Sequence, residues 1–252
     1  RAANSLTTAV VNNSGIIEAK GLINRSGVII LEAGDGATTE TGGIINTGSI
    51  DASGTTGAGG RVDLNAGRFI SHTGSISANG DSGGQIHLQT RNLLDAGQTS
   101  ATGQTQGGDI SIQASGRILQ TTAAQLDVSS SNGSGGNIRI EAGETAWLSG
   151  AMNTSGSSGG DISVTAPSLT LAEATLDASG QTAGGRVRIG GGWQGNDSDL
   201  ANAITTDVVA STIDVSAKQN GNAGTAVVWS EEQTRFDSHI LAQGGVLGGN
   251  GG

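Results

Sequence analysis

Polar and aliphatic residues alternate in a short segment that recurs along this chain. Each copy begins with a glycine pair, which is followed by two aliphatic residues at alternate positions with a polar residue before each. Alternation with a period of two is typical of a β-strand that has one buried face. The six copies begin at Gly59, Gly83, Gly107, Gly135, Gly159 and Gly184. This near-constant spacing predicts a repeat architecture.

Two further apolar segments follow the glycine pair in each period. The first is a short pair such as Phe69-Ile70 or Trp147-Leu148. The second has the form Gly-x-Ile-Asp-Ala-Ser-Gly, and residues 48–54 are one example. Glycine, serine, asparagine and aspartate, which favour turns, separate these segments. Each period therefore predicts three short strands.

Three strands in about 24 residues predict an all-β fold, the parallel β-helix, in which each period forms one coil. Coils stack ~4.8 Å apart, so equal positions of successive repeats form columns along a rod. We expect a single domain over residues 1–252, with about nine or ten coils and a length of roughly 45 Å. The aliphatic positions of the first strand are expected to point inward, and they are Val62, Ile86, Ile110, Ile138, Ile162, Val187, Leu64, Leu88, Ile112, Ile140, Val164 and Ile189.

One interruption breaks the repeat. The step from Gly184 to the equivalent Ala223 is much longer than the others. Roughly 15 residues are therefore expected to project from the stack as a loop near 190–210.

Composition removes several functional classes. The chain has 45 glycines, five large aromatic residues, no cysteine and a net charge of −10. The charge argues against nucleic-acid binding, and the lack of cysteine excludes disulfides and thiolate metal sites. No apolar run is long enough to span a membrane. Such a composition is typical of a disordered linker, but the periodicity indicates order instead. Because the chain begins at Arg1, we expect it to be a piece of a longer protein.

Several motifs resemble a known family. They are the repeated Gly-Gly-x-Val/Ile-x-Leu/Ile strand, the Gly-x-Ile-Asp-Ala-Ser-Gly segment, residues 189–195 (Ile-Gly-Gly-Gly-Trp-Gln-Gly), residues 226–230 and residues 234–236. Together they resemble the large exoproteins of bacterial two-partner secretion, of the filamentous haemagglutinin type. The resemblance covers nearly the whole chain and implies a right-handed β-helix.

The resemblance also implies a function. Such proteins are secreted or surface-held bacterial adhesins, exported through an outer-membrane β-barrel transporter, that serve attachment, aggregation, biofilm formation and virulence. The family's secretion domain carries an Asn-Pro-Asn-Gly type motif, whereas the only proline here is Pro167. The chain is therefore expected to be an interior shaft segment and not an enzyme. The alternatives are a module that binds an exopolysaccharide or host glycan, and a polysaccharide lyase or hydrolase.

Two groups of charged residues are the candidates for an enzymatic site. Asp63 and His87 share one outward column, with Asp109 one column away on the next coil. A second group consists of Asp161, Arg139 and Arg186. Charges are expected in any solvent-facing column, so we interpret both groups as surface residues.

No cofactor or metal is expected. Asp51, Asp127, Asp177 and Asp214, with Asn153, follow the third-strand aliphatic residue and are expected to accept hydrogen bonds in turns. The calcium-binding nonapeptide of other β-helices is absent. His72, His87 and His239 lack metal-ligand spacing, and we interpret them as solvated or ladder residues.

Tryptophans offer the last candidates. Trp147 and Trp229 lie in apolar strand contexts and are expected in the core. Trp193, at the start of the projecting loop, is either a platform for a sugar or the apolar pin that holds the loop, and the pin is the commoner use of a large aromatic. If the loop binds a ligand, the contact residues are expected to be Trp193, Gln194, Asn196 and Asp197.

Overall fold

The computed structural model describes residues 10–20, 26–34 and 41–252. Within these ranges the strand pairs are parallel, each joining a strand to its equivalent in the next coil. The strands form three faces of a solenoid, so the predicted all-β parallel β-helix is confirmed. Its right-handed sense stays a prediction.

Face 1 is built from the strands that follow the glycine pairs. Two of its strands continue around a corner into face 2. The strands of face 1 are Val28–Ala33, Arg61–His72, Gln85–Asp95, Asp109–Ala114, Asn137–Ala142, Asp161–Thr165, Arg186–Ile189 and Thr225–Val228.

Face 2 contains the short aliphatic pairs. It includes residues 69–72 and 92–95 of the two long strands from face 1. Its other strands are Val10–Asn13, Gly43–Asn46, Arg117–Gln120, Thr145–Leu148, Ser168–Ala172, Thr205–Asp214 and Gln233–Leu241.

Face 3 carries the third apolar segment of each period. The ends of two face 2 strands, residues 212–214 and 239–241, complete it. Its other strands are Ile16–Glu18, Ser49–Asp51, Ser75–Ser77, Gln98–Ser100, Gln125–Asp127, Ala151–Asn153 and Thr175–Asp177. Short strands pair at the corner that leads back to face 1, at Gly80–Ser82, Gly103–Gln106, Gly156–Ser158 and Gly180–Ala183.

The described residues form about eight complete turns, with a length of roughly 40 Å. Face 1 has eight strands, whereas faces 2 and 3 have nine each, which is the lower end of the expected number of coils. Two steps are clearly longer than the repeat. They are the steps from Val28 to its partner Arg61 and from Arg186 to its partner Thr225.

The first-strand columns are confirmed. All twelve predicted inward residues are buried, and they pair in register from coil to coil. At the corner before them, a β-carbon added to Gly84 would lie 2.0 Å from the carbonyl oxygen of Gly60. The coils approach so closely there that only glycine fits.

Face 2 shows which member of each aliphatic pair is buried. Neighbouring residues of a strand point to opposite sides, so only one member of each pair can enter the core. In the coil of Thr145–Leu148, the buried residues are Ala146 and Leu148. Trp147 points outward and is 51% exposed, so the prediction that it lies in the core was wrong.

The predicted projecting segment is confirmed, and the structure defines its bounds. It occupies residues 190–204, at the corner between faces 1 and 2, and regular structure resumes at Thr205–Asp214. Its only regular element is a single 3-10 turn, Trp193–Gly195. We call residues 190–204 the corner loop.

Candidate functional site

The corner loop is anchored to face 1 by Arg188. This guanidinium donates through Nη1 to Oδ2 of Asp197 in the loop and through Nη2 to Oδ1 of Asp161 in the preceding coil, both at 2.8 Å. Burial alone would lower the pKa of Arg188, but the two carboxylates outweigh it and raise the pKa. The backbone N–H of Asp199, and then Arg188, lower the pKa of Asp197. The loop is therefore held by charge as well as by packing.

Further contacts give the loop one ordered shape. Arg139 donates from Nη2 to the carbonyl oxygen of Asp199 at 2.8 Å, and Asn202 donates from Nδ2 to that of Gly195 at 3.1 Å. Leu200 and Ala203 are buried. Its exposed residues are therefore presented on a fixed frame.

The pin of the loop is Trp229, not Trp193. Trp229 packs against the backbone of the corner loop. A β-carbon added to Gly191 would lie 3.0 Å from Cδ1 of Trp229, and one added to Gly195 would lie 2.9 Å from its Nε1. Trp193 is 71% exposed, so the pin interpretation of this residue was wrong. Trp229 was expected in the core, but it is half-buried against the loop. The aromatic residue that holds the loop thus comes from the coil after the insertion, and no sequence pattern predicted this contact between Trp229 and the loop.

The four candidate ligand-contact residues divide into two kinds. Trp193, Gln194 and Asn196 are exposed on the turn of the loop. Asp197 is half-buried and occupied by Arg188. The loop thus presents an indole beside two amides, a combination that can stack on a sugar ring and hydrogen-bond its hydroxyl groups.

The two candidate enzymatic groups are engaged in surface pairs. Asp63 accepts from Nε of Arg61 at 2.8 Å, and Asp109 accepts from Nδ2 of Asn137 at 2.7 Å. His87 is half-buried in the column of Asp63, as expected. Both carboxyl groups of the first candidate group, those of Asp63 and Asp109, therefore already have a hydrogen-bond partner.

The second candidate group is rearranged. Asp161 pairs with Arg188 at 2.8 Å and with Arg186 at 3.8 Å. Arg139 pairs with Glu141 instead. Within this group the Asp161–Arg186 ion pair is thus present, whereas Arg139 pairs elsewhere, and the corner loop adds Arg188 and Asp197 at this place. That the chain is no enzyme stays a prediction.

The turn carboxylates behave as predicted. The Oδ1 atom of each accepts from the backbone N–H two residues later, at 2.8–3.0 Å. The residues concerned are Asp51, Asp127, Asn153, Asp177 and Asp214. Within the described ranges, no three His, Asp or Glu side chains come together as metal ligands. That no cofactor or metal is bound stays a prediction.

A buried polar column was missed in the sequence. On face 2, the inward positions of five successive coils hold polar residues, and we call this the polar column. Its members, all buried, are Asn13, Asn46, His72, Asp95 and Gln120. The signal was present, because polar residues occupy the place that Leu148 and Leu171 fill in later coils. Of the histidines, His239 is exposed, whereas His72 is a ladder residue and not a solvated one.

Hydrogen bonds connect the polar column from coil to coil. Asn13 donates from Nδ2 to Oδ1 of Asn46 at 2.8 Å, and Nδ2 of Asn46 lies 3.0 Å from Nδ1 of His72. Gln120 donates from Nε2 to Oδ2 of Asp95 at 3.2 Å. Burial lowers the pKa of His72 and raises that of Asp95, although each opposes the other's shift. Burial therefore shifts the titration of both side chains in the direction of the neutral form.

Comparisons with known proteins define the class of this molecule by its fold. No protein-family description and no curated protein sequence matches the chain. Among solved structures, the HMW1 secretion domain from Haemophilus influenzae is similar, with a TM-score of 0.66 and 22% sequence identity. The match covers 98% of this chain and 68% of that one. The chain is thus a parallel β-solenoid, and the family resemblance seen in the sequence is confirmed at the level of the fold.

One negative observation concerns membranes. Within the part of the chain that the structure describes, no helix has the length and hydrophobicity to cross a bilayer.

Proposed function

We propose that the chain is a shaft segment of a bacterial adhesin, secreted or held at the cell surface and exported by two-partner secretion. The observation that carries this proposal is the fold match to the HMW1 secretion domain over 98% of the chain. The motif resemblance at residues 189–195 and 226–230 points the same way. Attachment, aggregation and biofilm formation are the functions such a rod would serve.

The physical properties of the rod suit this route. A chain that crosses an outer-membrane transporter unfolded benefits from having no cysteine, because no disulfide has to form or break on the way. Each coil contacts only its neighbours, so the solenoid can form progressively as coils emerge. The proposed partner of the parent protein is therefore an outer-membrane β-barrel transporter.

A shaft is proposed in preference to a secretion domain. The structural match is to a secretion domain, but the Asn-Pro-Asn-Gly type motif that the family resemblance expects is not found in these 252 residues. In a shaft the rod is a spacer, and its regular core provides stiffness.

The experiment that tests export uses the source bacterium. Antibodies against the purified chain would be applied to intact cells and to culture medium, with and without deletion of its two-partner transporter. We expect surface and medium signals to disappear in the deletion strain and to return on complementation. Undiminished signal in the deletion strain would show that the chain leaves the cell by another route. Intact strains that adhere and aggregate as well without the parent protein would refute the adhesive role alone.

A second candidate function is glycan binding by the corner loop. The supporting observation is the 71% exposure of Trp193 on an anchored frame, beside exposed Gln194 and Asn196. A glycan array probed with the wild type and with Trp193→Ala tests it. On uncharged glycans we expect Trp193→Ala to lose the binding, whereas binding of such glycans that survives this substitution excludes the loop as the site.

A further inference from the structure

Three arginines lie on successive coils at the corner between faces 1 and 2. Arg68, Arg91 and Arg117 line an open groove of about 390 Å³, together with Asn92 and Glu144. We call it the arginine groove. The whole chain has 12 Lys and Arg against 22 Asp and Glu. Among the described residues that line the groove, by contrast, three guanidinium groups accompany one carboxylate.

The spacing of these arginines is fixed by the backbone. Gly116 donates its N–H to the carbonyl oxygen of Arg91 at 2.8 Å, and Arg117 donates its N–H to Oδ1 of Asn92 at 3.3 Å. Asn92 in turn donates from Nδ2 to the carbonyl oxygen of Arg68 at 3.4 Å. The corners are therefore tied from coil to coil at about the 4.8 Å separation of the strands, with Arg68 and Arg91 in one column and Arg117 in the neighbouring column of Asn92.

At two of the three arginines the charge is only weakly compensated. Arg117 donates from Nε to Oε2 of Glu144 at 3.2 Å, but both side chains are largely exposed. Exposed pairs of this kind contribute little free energy and exchange easily. Arg68 forms no ion pair with any other described residue. These two guanidinium groups can therefore accept an anion without breaking a strong internal contact.

An apolar stripe borders the arginine groove on face 2. Leu94, Leu119 and Trp147 pair in register on three successive coils and are 40%, 47% and 51% exposed. Arg117 and Leu119 alternate on one strand and both point outward, so the groove and the stripe form one surface. Nε1 of Trp147 donates to Oγ of Ser149 at 3.3 Å, which helps to hold the indole in place.

We propose that the arginine groove and the stripe bind an acidic polysaccharide that lies along the rod axis. Guanidinium groups on three successive coils suit a polymer that repeats carboxylate or sulfate groups, because arginine pairs with both through two parallel hydrogen bonds. The indole and the two leucines offer apolar area to the faces of the sugar rings. This site goes beyond the glycan binding proposed for the corner loop, because it is a separate surface, and it does not depend on the export route.

Charge confines the ligand to the first half of the rod. Further along the same corner lie exposed acidic residues, namely Glu144, Glu231 and Glu232. A polyanion is attracted by the arginines and repelled beyond Glu144. A neutral glycan would have no such preference, so the complementarity points to an acidic one.

The test measures binding of the purified chain to polygalacturonate, which carries carboxylates, to dextran sulfate and to uncharged dextran. We expect binding to one or both polyanions, none to dextran, and weakening by added salt. A variant with Arg68→Gln, Arg91→Gln and Arg117→Gln should bind about tenfold more weakly or worse. The matched control is Arg61→Gln, Lys218→Gln and Arg235→Gln, which removes three charges elsewhere and should change affinity less than about twofold.

The tryptophans separate this site from the loop. Trp147→Thr copies Thr170, which occupies the same column in the next coil, and should weaken binding about fivefold. Trp193→Ala should leave binding of the polyanion unchanged.

Circular dichroism checks the fold of each variant, and Arg68→Gln alone is used for the test if the triple variant unfolds. The proposal is refuted if neither polyanion binds, if both triple variants lose affinity equally, or if polyglutamate binds as well as the polysaccharides. That last outcome would indicate an acidic protein partner.

Discussion

Two halves of one inward column on face 2 fill the core with different kinds of side chain. In the first five coils the column is polar, running from Asn13 to Gln120. In the next three coils the same positions hold Leu148, Leu171 and Val208, all fully buried. The coil backbone is alike in both halves. The difference teaches that this solenoid accepts buried polar side chains only as a ladder, in which each coil supplies partners to the next.

The polar half still has imperfections. Nε2 of His72 and Oε1 of Gln120 are buried without a hydrogen-bond partner. Unpaired buried groups cost free energy, so we expect the polar column to contribute less to stability than the apolar half. The predictions below test this difference, beginning with the largest effect.

A polar residue placed in the apolar half should be the most damaging change. Leu171→Asn removes buried apolar volume and leaves an amide between Leu148 and Val208, neither of which can offer it a hydrogen bond. We expect the free energy of unfolding to fall by about 4 kcal/mol. Leu171→Met, which keeps the volume, should cost less than about 1.5 kcal/mol. Urea unfolding followed by circular dichroism measures both, and equal stability of the two variants would contradict the comparison.

In the polar half, the side chain of His72 should prevent Gly97 from being replaced by a larger residue. A β-carbon there would lie 2.3 Å from Nε2 of His72, whereas the equivalent positions in later coils include Ala124 and Ala174. We expect Gly97→Ala to cost about 2 kcal/mol through overpacking. Gly15→Ala is the control, because no atom lies within 4 Å of its added β-carbon. A Gly97→Ala protein as stable as this control would show that the imidazole can move aside.

Removing one member of the His72–Asp95 pair should reveal opposite pH dependences. The pKa of His72 is lowered by burial, so the unfolded chain takes up its proton first as pH falls below about 6.5. Acidification therefore costs stability through His72. The pKa of Asp95 is raised by burial, so the folded chain takes up its proton first, and stability falls as pH rises above about 3.8 towards the folded pKa.

The two contributions separate in single variants. In Asp95→Asn the histidine remains alone, and the free energy of unfolding should fall as pH drops below about 6.5. In His72→Asn the carboxyl group remains alone, and the free energy of unfolding should rise on acidification from neutral pH towards about 4. Urea unfolding between these pH values measures both slopes. The same slope in both variants would contradict the assignment.

The smallest expected loss of stability should be the same in both halves of the rod. Asp51 and Asp177 form the same turn contact at either end of the rod, accepting from the backbone two residues later at 2.9 and 2.8 Å. Asp51→Ala and Asp177→Ala should each cost about 1 kcal/mol. Asp177→Asn should be nearly neutral, because Asn153 makes the same turn. A large difference between the two alanine variants would mean that neighbouring coils, and not the turn, set the cost.

The sequence by itself determined the class of fold and much of its register. The spacing of the glycine pairs predicted which residues pair, and all twelve first-strand aliphatic residues are buried. The turn role of Asp177 and the start of the corner loop followed from local patterns as well. These features depend on neighbours in the chain and on a repeat that stacks like upon like, so a single sequence is enough to predict them.

Only the tertiary structure decided which side chains meet across coils at irregular places. It placed Trp229 against the corner loop, turned Trp147 outward, and joined Arg188 to Asp197. It also brought three arginines from separate coils, which belong to no repeated motif, into one groove. Such contacts depend on the fold of the loop and on the corner each residue occupies. A one-residue shift reverses the face of a strand residue, and an insertion can cover any face it reaches.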